Sequence, residues 1–271
     1  MSMELSVWSS YYYDLSPEEA VLRFKSCGIN AMELSTEHAE VLLGRDDPIA
    51  AGRAFSRFAA AHGMQITQGH LWLQARIVSD PQAVSVLKKW IDLYEAIGIQ
   101  NMVLHMDGYN MEDRTVAEIH DLNVEKLSEI AEYIAGKDFY ICLENLFRPG
   151  SGHINELLSV IHRLHSDRFG ITLDTGHLNI TGSTSQREFI LSAGEKLRAI
   201  HIADNQGESD QHLMPFGKGT VDFTEVVQAL REVRYQGVFN YEIPGENHCP
   251  LPVRDAKLRY IRETYRYLME Q

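Results

Sequence analysis

Residues 139–174 contain two short apolar runs, FYICLENL at 139–146 and GITLD at 170–174, with an amphipathic helical pattern at Ile154–Leu164 between them. Short apolar runs flanked by helical patterns predict β-strands. A strand, a helix and a second strand in this order predict a βαβ unit with parallel strands. Each run also carries a carboxylate near its C-terminal end, Glu144 in the first and Asp174 in the second.

The same alternation extends in both directions along the chain. The predicted strands are Met3–Trp8, Ala31–Ser35, Gln65–Trp72, Asn101–Met106, Phe139–Leu146, Gly170–Asp174, Ala199–Ala203 and Val238–Ile243. The predicted helices are Ser16–Cys27, Pro48–His62, Asp80–Gly98, Asn123–Ile134, Ile154–Leu164, Glu188–Ala193, Asp222–Arg234 and Val253–Met269. Ser16, Pro17 and two glutamates make a typical helix start, and Gly28 a typical stop.

Eight strands and eight helices in strict alternation predict an α/β fold, a single-domain (β/α)8 TIM barrel over residues 1–271. The length fits, because such barrels run to about 250 residues as one domain. The alternative is an open doubly wound sheet, but no GxGxxG motif follows the first strand to support it.

Composition argues against several classes of protein. The formal net charge of -13 argues against a nucleic-acid partner, because DNA binders usually carry a basic footprint. No apolar run is long enough to cross a bilayer, and no signal-peptide pattern opens the sequence, so a cytoplasmic protein is expected. Cys27, Cys142 and Cys249 are too scattered for a disulfide framework or a CxxC site, and fit a reducing compartment.

Polar side chains cluster at the ends of the predicted strands, where barrel enzymes place their chemistry. They are His70, His105, Glu144, Asp174 with His177, His201 followed by Asp210 and His212, and Glu242. Six successive strands therefore bring metal-type ligands to the same end of one barrel.

Glu144 and Glu242 are the strongest single indicators, because each lies inside an apolar strand, in YICLENL and VFNYEIP. Carboxylates are rarely fully buried unless they are paired or bind a metal. Internal salt bridges to Arg or Lys are the alternative, but no strand end carries an obvious basic partner. Mixed carboxylate and imidazole ligands suit Mn²⁺, Zn²⁺, Co²⁺ or Fe²⁺, and Mg²⁺ is kept as a further candidate.

Two loop segments add to the pattern. In ITLDTGHLNITG, Asp174 and His177 are candidate ligands, although Asp-x-x-His after a strand also often caps a helix. AIHIADNQGESDQHLMPFGKGTVDF is a long polar loop after His201, and loops of this length in a compact domain are usually functional. Lys218, between two glycines, either meets an anionic substrate group or is solvated.

The motifs resemble the xylose-isomerase-like barrel superfamily. The matching pieces are LEN at 143–145, LDTGH at 173–177, HIADNQG…DQHL…GKG…D at 201–222 and YEIP at 241–244. In sugar epimerases and isomerases of this superfamily, which are similar in these motifs, one divalent ion is held by four ligands. The resemblance places those ligands at Glu144, Asp174, His201 and Glu242.

Endonuclease IV, a DNA-repair member of the superfamily, holds three zinc ions with nine ligands, and all nine positions are filled here. The resemblance implies one ion at His70, His105 and Glu144, a second at Glu144, Asp174, His201 and Glu242, and a third at His177, Asp210 and His212. Three features favour the sugar branch. The net charge is acidic, the DNQG…DQHL…GKG loop resembles that of sugar phosphate isomerases and epimerases, and no basic, aromatic insert is present that could flip a nucleotide out of a duplex.

The expected activity is therefore isomerisation or epimerisation of a small sugar or sugar phosphate through a metal-stabilised enediolate. By resemblance, Glu144 and Glu242 serve as acid and base, and His177 contacts a substrate oxygen. Trp8, His70, Trp72 and Lys218 are the expected substrate-binding residues. Ketohexose 3-epimerases carry an Arg after the seventh-strand His where this chain reads ADNQG, which disfavours a free ketohexose. A homo-oligomer is expected by analogy only.

Overall fold

The computed structural model describes residues 3–111 and 113–271, and its strands close into a parallel β-barrel in sequence order. The strands are β1 Leu5–Trp8, β2 Ala31–Leu34, β3 Gln65–His70, β4 Asn101–Leu104, β5 Tyr140–Glu144, β6 Phe169–Asp174, β7 Leu197–Ile202 and β8 Phe239–Tyr241. β1 pairs with both β2 and β8, so the sheet has no free edge. The predicted single-domain TIM barrel is confirmed.

Ten α-helices lie in the described part of the chain. They are α1 Pro17–Ser26, α2 Thr36–Leu43, α3 Pro48–Ala61, α4 Ala83–Ile97, α5 Val116–Tyr133, α6 Ile154–Arg163, α7 Thr175–Thr181, α8 Gln186–Ala193, α9 Phe223–Glu232 and α10 Leu251–Glu270. Eight of them correspond to predicted helices. The short helices α2 and α7 were not predicted, and α5 begins at Val116 rather than Asn123.

The helix starts follow from local side-chain chemistry. Ser16 and Glu19 form a capping box at α1, and Thr115 and Glu118 form another at α5. The second box explains the early start of α5, because it satisfies free backbone N–H groups of the first turn. Within the described residues, no helix is both long and apolar enough to span a membrane.

The barrel interior is divided into an apolar layer and a polar layer. Val103, Cys142 and Ala199 form a small buried cluster separate from the main core between the sheet and the helices. Successive side chains in a strand alternate faces, so Glu144 points to the same side of the sheet as Cys142. The polar layer thus lies toward the C-terminal strand ends, with the apolar layer beneath it.

Candidate metal centre

Four side chains meet at the C-terminal end of the barrel. Glu144 ends β5, Asp174 ends β6, His201 lies in β7, and Glu242 follows β8 directly. All four are buried, and one ligand-type atom of each lies within 4.8 Å of the others. The parallel strands bring these atoms together, because neighbouring strand ends are only about 5 Å apart.

Distances within this group centre on one imidazole nitrogen. His201 Nδ1 lies 3.0 Å from Glu242 Oε2, 3.3 Å from Glu144 Oε1 and 4.0 Å from Asp174 Oδ2. In the described part of the chain, Asp174 Oδ2 is buried without a hydrogen-bond partner, and the contact of Glu242 Oε2 with His201 Nδ1 lacks hydrogen-bond geometry. Such orphaned oxygens are costly unless a cation occupies the space between them. The donor set therefore fits a divalent metal ion.

The alternative of buried Arg or Lys salt bridges does not match the geometry. Among residues 3–111 and 113–271, the ion-pair partners of Glu144, Asp174 and Glu242 are all histidines. Imidazoles can give up their protons to bind a metal, whereas guanidinium groups cannot.

The electrostatics of the protein alone place protons inside this group. Burial, together with the Glu242 and Glu144 carboxylates, raises the pKa of Asp174 to about 7. Burial alone would lower the pKa of His201, but the Glu242, Glu33 and Glu144 carboxylates raise it well above its ordinary value. Burial alone would raise the pKa of Glu242, but the neighbouring His201 lowers it to about 2. A bound cation would replace these protons.

A second group shares Glu144. His105 Nε2 lies 2.9 Å and His70 Nε2 3.4 Å from Glu144 Oε2, and the two imidazole nitrogens are 3.2 Å apart. Burial lowers the pKa of His105, which favours the neutral form that binds metals. At the rim, Asp210 Oδ2 lies 3.3 Å from His177 Nε2 and 3.1 Å from His212 Nε2.

Three of these histidines have their orientation fixed by the backbone. The Nδ1 atoms of His70, His177 and His212 lie 2.8, 2.9 and 2.8 Å from the carbonyl oxygens of Leu71, Asn145 and Glu242. A carbonyl oxygen only accepts, so each Nδ1 carries a proton and directs Nε2 toward a carboxylate. Metal-binding histidines are held by such outer contacts.

Glu33 in β2 was missed by the sequence analysis. It is fully buried, accepts a hydrogen bond from His201 Nε2 at 3.0 Å, and is also contacted by the amide nitrogen of Asn240. The signal was present, because Glu33 lies in the apolar run AMEL just as Glu144 lies in YICLE. Only the barrel closure shows that the two glutamates approach the same histidine from opposite sides of its ring.

The expected substrate-binding residues occupy different surroundings. The Trp8 ring stacks with His212 at a centroid distance of 6.4 Å, and its indole N–H is buried without an acceptor in the described residues. Trp72 is half-buried and packs against the main core. Lys218 is solvent-exposed in the loop after β7. Phe147, not singled out from the sequence, packs edge-on against His177 at 5.1 Å.

Residues 21–270 match the xylose isomerase-like TIM barrel family, and the chain belongs to it. It is 37% identical over 131 residues to the uncharacterized protein MJ1311 of Methanocaldococcus jannaschii, covering 47% of this chain and 44% of that protein. It is 24% identical over 235 residues to L-ribulose-5-phosphate 3-epimerase UlaE of Salmonella paratyphi A, covering 82% and 80%. The chain spans about half the length of MJ1311 and of a second uncharacterized relative, y4fM of Sinorhizobium fredii, at 44% and 54%.

Solved structures share the architecture. D-psicose 3-epimerase of Clostridium cellulolyticum H10 superposes with a TM-score of 0.81 at 15% identity, covering 98% of this chain and 99% of that one. At this identity the likeness shows the fold alone.

Proposed function

We propose that this protein is a divalent-metal-dependent isomerase or epimerase that acts on a small sugar or sugar phosphate. The observation that carries the proposal is the pair Glu144 and Glu242. Both are buried at the catalytic end of the barrel, and both lie within 3.3 Å of the same His201 nitrogen. The names of the relatives, including L-ribulose-5-phosphate 3-epimerase, support a carbohydrate substrate.

Glu144, Asp174, His201 and Glu242 would hold the ion. When bound, a divalent ion supplies Lewis-acid stabilisation of negative charge developing on a substrate carbonyl oxygen. The mixed carboxylate and imidazole donors suit Mn²⁺, Zn²⁺, Co²⁺ or Fe²⁺, with Mg²⁺ as a further candidate.

The two glutamates would move the carbon-bound proton. One takes it from the carbon next to the carbonyl, and the other returns a proton from the opposite face for epimerisation. A well-placed general base contributes roughly 10²–10⁴-fold to such a step. His177 would donate from Nε2 to a substrate oxygen. Burial opposes this charge, but Asp174, Asp210 and Glu144 raise the pKa of His177 well above its ordinary value and keep it a donor.

Solvent-proton exchange tests this proposal directly. The metal-loaded protein would be incubated in D₂O with ketopentoses and ketopentose 5-phosphates, and deuterium at the carbon next to the carbonyl would be followed by NMR. We expect exchange in the wild type and a loss of at least about 100-fold in E144Q and E242Q. E95Q is the matched control, because Glu95 pairs with Lys137 on the surface. Full exchange in both site variants would refute the mechanism.

A second candidate is a trinuclear-zinc phosphodiesterase that acts on abasic DNA. The observation that favours it is the second group, His70, His105 and Glu144, together with the approach of His177 and His212 to Asp210. If these residues hold zinc ions, the chemistry the ions would supply is a water pKa lowered to about 7, which makes a hydrolytic nucleophile available at neutral pH.

Metal content by plasma mass spectrometry separates the two candidates. About one ion per chain favours the isomerase, and three zinc ions per chain favour the phosphodiesterase. Incision of an abasic-site duplex that is lost with a chelator would establish the second activity.

A further inference from the structure

Two arginines at the rim of the barrel stack on one tyrosine. The guanidinium carbon of Arg76 lies 3.2 Å from the ring centroid of Tyr109, and that of Arg148 lies 3.6 Å from the same centroid. The three residues come from the loops that follow β3, β4 and β5. These are the loops above His70, His105 and Glu144, on one side of the metal centre.

Among residues 3–111 and 113–271, neither guanidinium has an anionic partner. In the described part of the chain, the Nη1 atoms of Arg76 and Arg148 are buried without a hydrogen-bond acceptor, and neither side chain forms an ion pair. The chain has 38 acidic and 25 basic residues, so carboxylates that could have paired with Arg76 and Arg148 are abundant in the sequence. An unsatisfied buried N–H of a cation is costly, and the cost is removed when an anion binds.

The buried carboxylate of Asp107, in the β4–α5 loop, is already occupied by backbone N–H donors. Asp107 accepts from the backbone N–H of Val78 at 3.1 Å, of Ser79 at 3.3 Å and of Tyr109 at 3.1 Å. These bonds tie the β3–α4 loop to the β4–α5 loop. The Asp107 carboxylate therefore holds together the loops that carry Arg76 and Tyr109. Its hydrogen bonds go to backbone N–H groups, and it forms no ion pair with Arg76 or Arg148.

Stacking on Tyr109 prepares the pair for a ligand. A guanidinium over an aromatic face keeps its planar fork of N–H donors free at the edge. Two such forks match the oxygens of a phosphate, which carries about -1.5 to -2 charges near neutral pH. A carboxylate carries one charge and needs only one fork.

We propose that Arg76, Tyr109 and Arg148 form an anion subsite that binds the phosphate group of a phosphorylated sugar whose carbonyl end lies at Glu144 and Glu242. The assignment deepens the proposed function and rests on it for the identity of the sugar. Arg148 lies in the β5–α6 loop that begins after Glu144, the last residue of β5, so one connection links the phosphate end to the reacting end.

Direct binding tests the subsite without requiring turnover. Inorganic phosphate would be titrated into the metal-loaded wild type, the double variant R76Q/R148Q and the control R53Q by isothermal calorimetry. Arg53 is an exposed arginine on α3, outside the barrel mouth. We expect R53Q to bind as the wild type does and the double variant to bind at least about tenfold more weakly. Equal affinity in all three would overturn the subsite.

Two additions keep the result interpretable. R148K retains the charge but loses the fork, so it should still weaken phosphate binding even if the double variant folds poorly. Acetate should bind the wild type more weakly than phosphate; an arginine-dependent site that prefers acetate would overturn the phosphate assignment.

A kinetic comparison separates this inference from the proposed function. With a ketopentose 5-phosphate, R76Q/R148Q should raise KM about tenfold or more, while KM for the unphosphorylated ketopentose stays unchanged. Equal effects on both substrates would overturn the subsite while leaving the isomerase proposal intact. If no ketose is turned over, arginine-dependent phosphate binding still supports the subsite while the proposed reaction fails.

Discussion

Glu33 determines which nitrogen of His201 faces the carboxylates. Its Oε1 accepts from His201 Nε2 at 3.0 Å, which leaves Nδ1 directed at Glu242 and Glu144. A carboxylate behind a metal-binding imidazole fixes the tautomer and raises the basicity of the ligand nitrogen. Glu33 is therefore expected to act as a positioning residue for the metal centre.

The substitution E33Q should weaken divalent-metal binding about 10- to 100-fold, because the amide lacks the charge that polarises His201. Titration calorimetry with Mn²⁺ measures the affinity independently of turnover. E40Q is the control, since Glu40 is exposed on the neighbouring helix α2. If E33Q binds Mn²⁺ as tightly as the wild type, Glu33 does not position His201 for metal binding.

At the scale of elements, one buried arginine fastens α10 to the start of the chain. The Arg254 side chain is 2% exposed, and its Nη1 and Nη2 donate to the two carboxylate oxygens of Asp14 at 2.7 and 2.8 Å. The Tyr11 hydroxyl donates to the backbone carbonyl of Arg254 at 2.8 Å. Since Tyr11 and Asp14 follow β1, this contact joins the last helix to the strand that closes the barrel.

We expect D14N to lower the free energy of unfolding by about 2 kcal/mol, because a charged hydrogen-bond pair is lost at a buried guanidinium. The partial exposure of Asp14 keeps the cost below that of a fully buried pair. Urea unfolding measures it. D138N is the control, because Asp138 is fully exposed beside Arg168 and its loss should be nearly neutral. If D14N and D138N both change the free energy of unfolding by the same small amount, the Asp14–Arg254 contact does not stabilise the fold as expected.

The same pair has a defined pH dependence. The hydrogen bonds from Arg254 lower the pKa of Asp14 below its ordinary value of 3.8. A carboxyl group with a lower pKa in the folded state stabilises the protein above the unfolded pKa and loses that contribution as the pH falls through the folded pKa. The stability difference between the wild type and D14N should therefore be constant above about pH 5 and shrink toward pH 3. If the stability difference between the wild type and D14N instead grows as the pH falls, the pKa of Asp14 is raised rather than lowered in the folded state.

For the whole molecule, we expect the buried carboxylates of the candidate metal centre to make stability depend on a cation. Burial, together with repulsion from Glu242 and Glu144, raises the pKa of Asp174 to about 7. A chelator should therefore lower the melting temperature, and Mn²⁺ should restore it. At a free ion concentration of 100 times Kd the stabilisation is about 2.7 kcal/mol.

Differential scanning calorimetry with and without Mn²⁺ measures this shift. In D174N one repelling charge and one ligand are lost, so the metal-free protein should gain stability while its response to Mn²⁺ shrinks. Identical Mn²⁺ shifts in D174N and the wild type would place the binding site elsewhere.

The sequence by itself determined the barrel and the residues at its strand ends. Apolar runs alternating with amphipathic runs have few packed solutions, and buried glutamates in the strands indicated the candidate site. The helices with long amphipathic patterns were predicted for the same reason. The 7-residue helix α7 is not among the predicted helices, although its cap is, as the alternative role of Asp174. In the structure Asp174 has both roles: Oδ1 accepts from the backbone N–H of His177, and Oδ2 faces the candidate metal centre.

Only the tertiary structure decided which of these groups touch. Helix α2, with 8 residues, is too short to be stable alone and depends on packing, as its buried Thr36, His38, Ala39 and Leu42 show. The contact between Glu33 and His201 joins β2 to β7 across the barrel, and Arg76, Tyr109 and Arg148 meet from three loops. Local patterns carry no information on such pairs, because their distances are set by barrel closure and loop packing rather than by spacing along the chain.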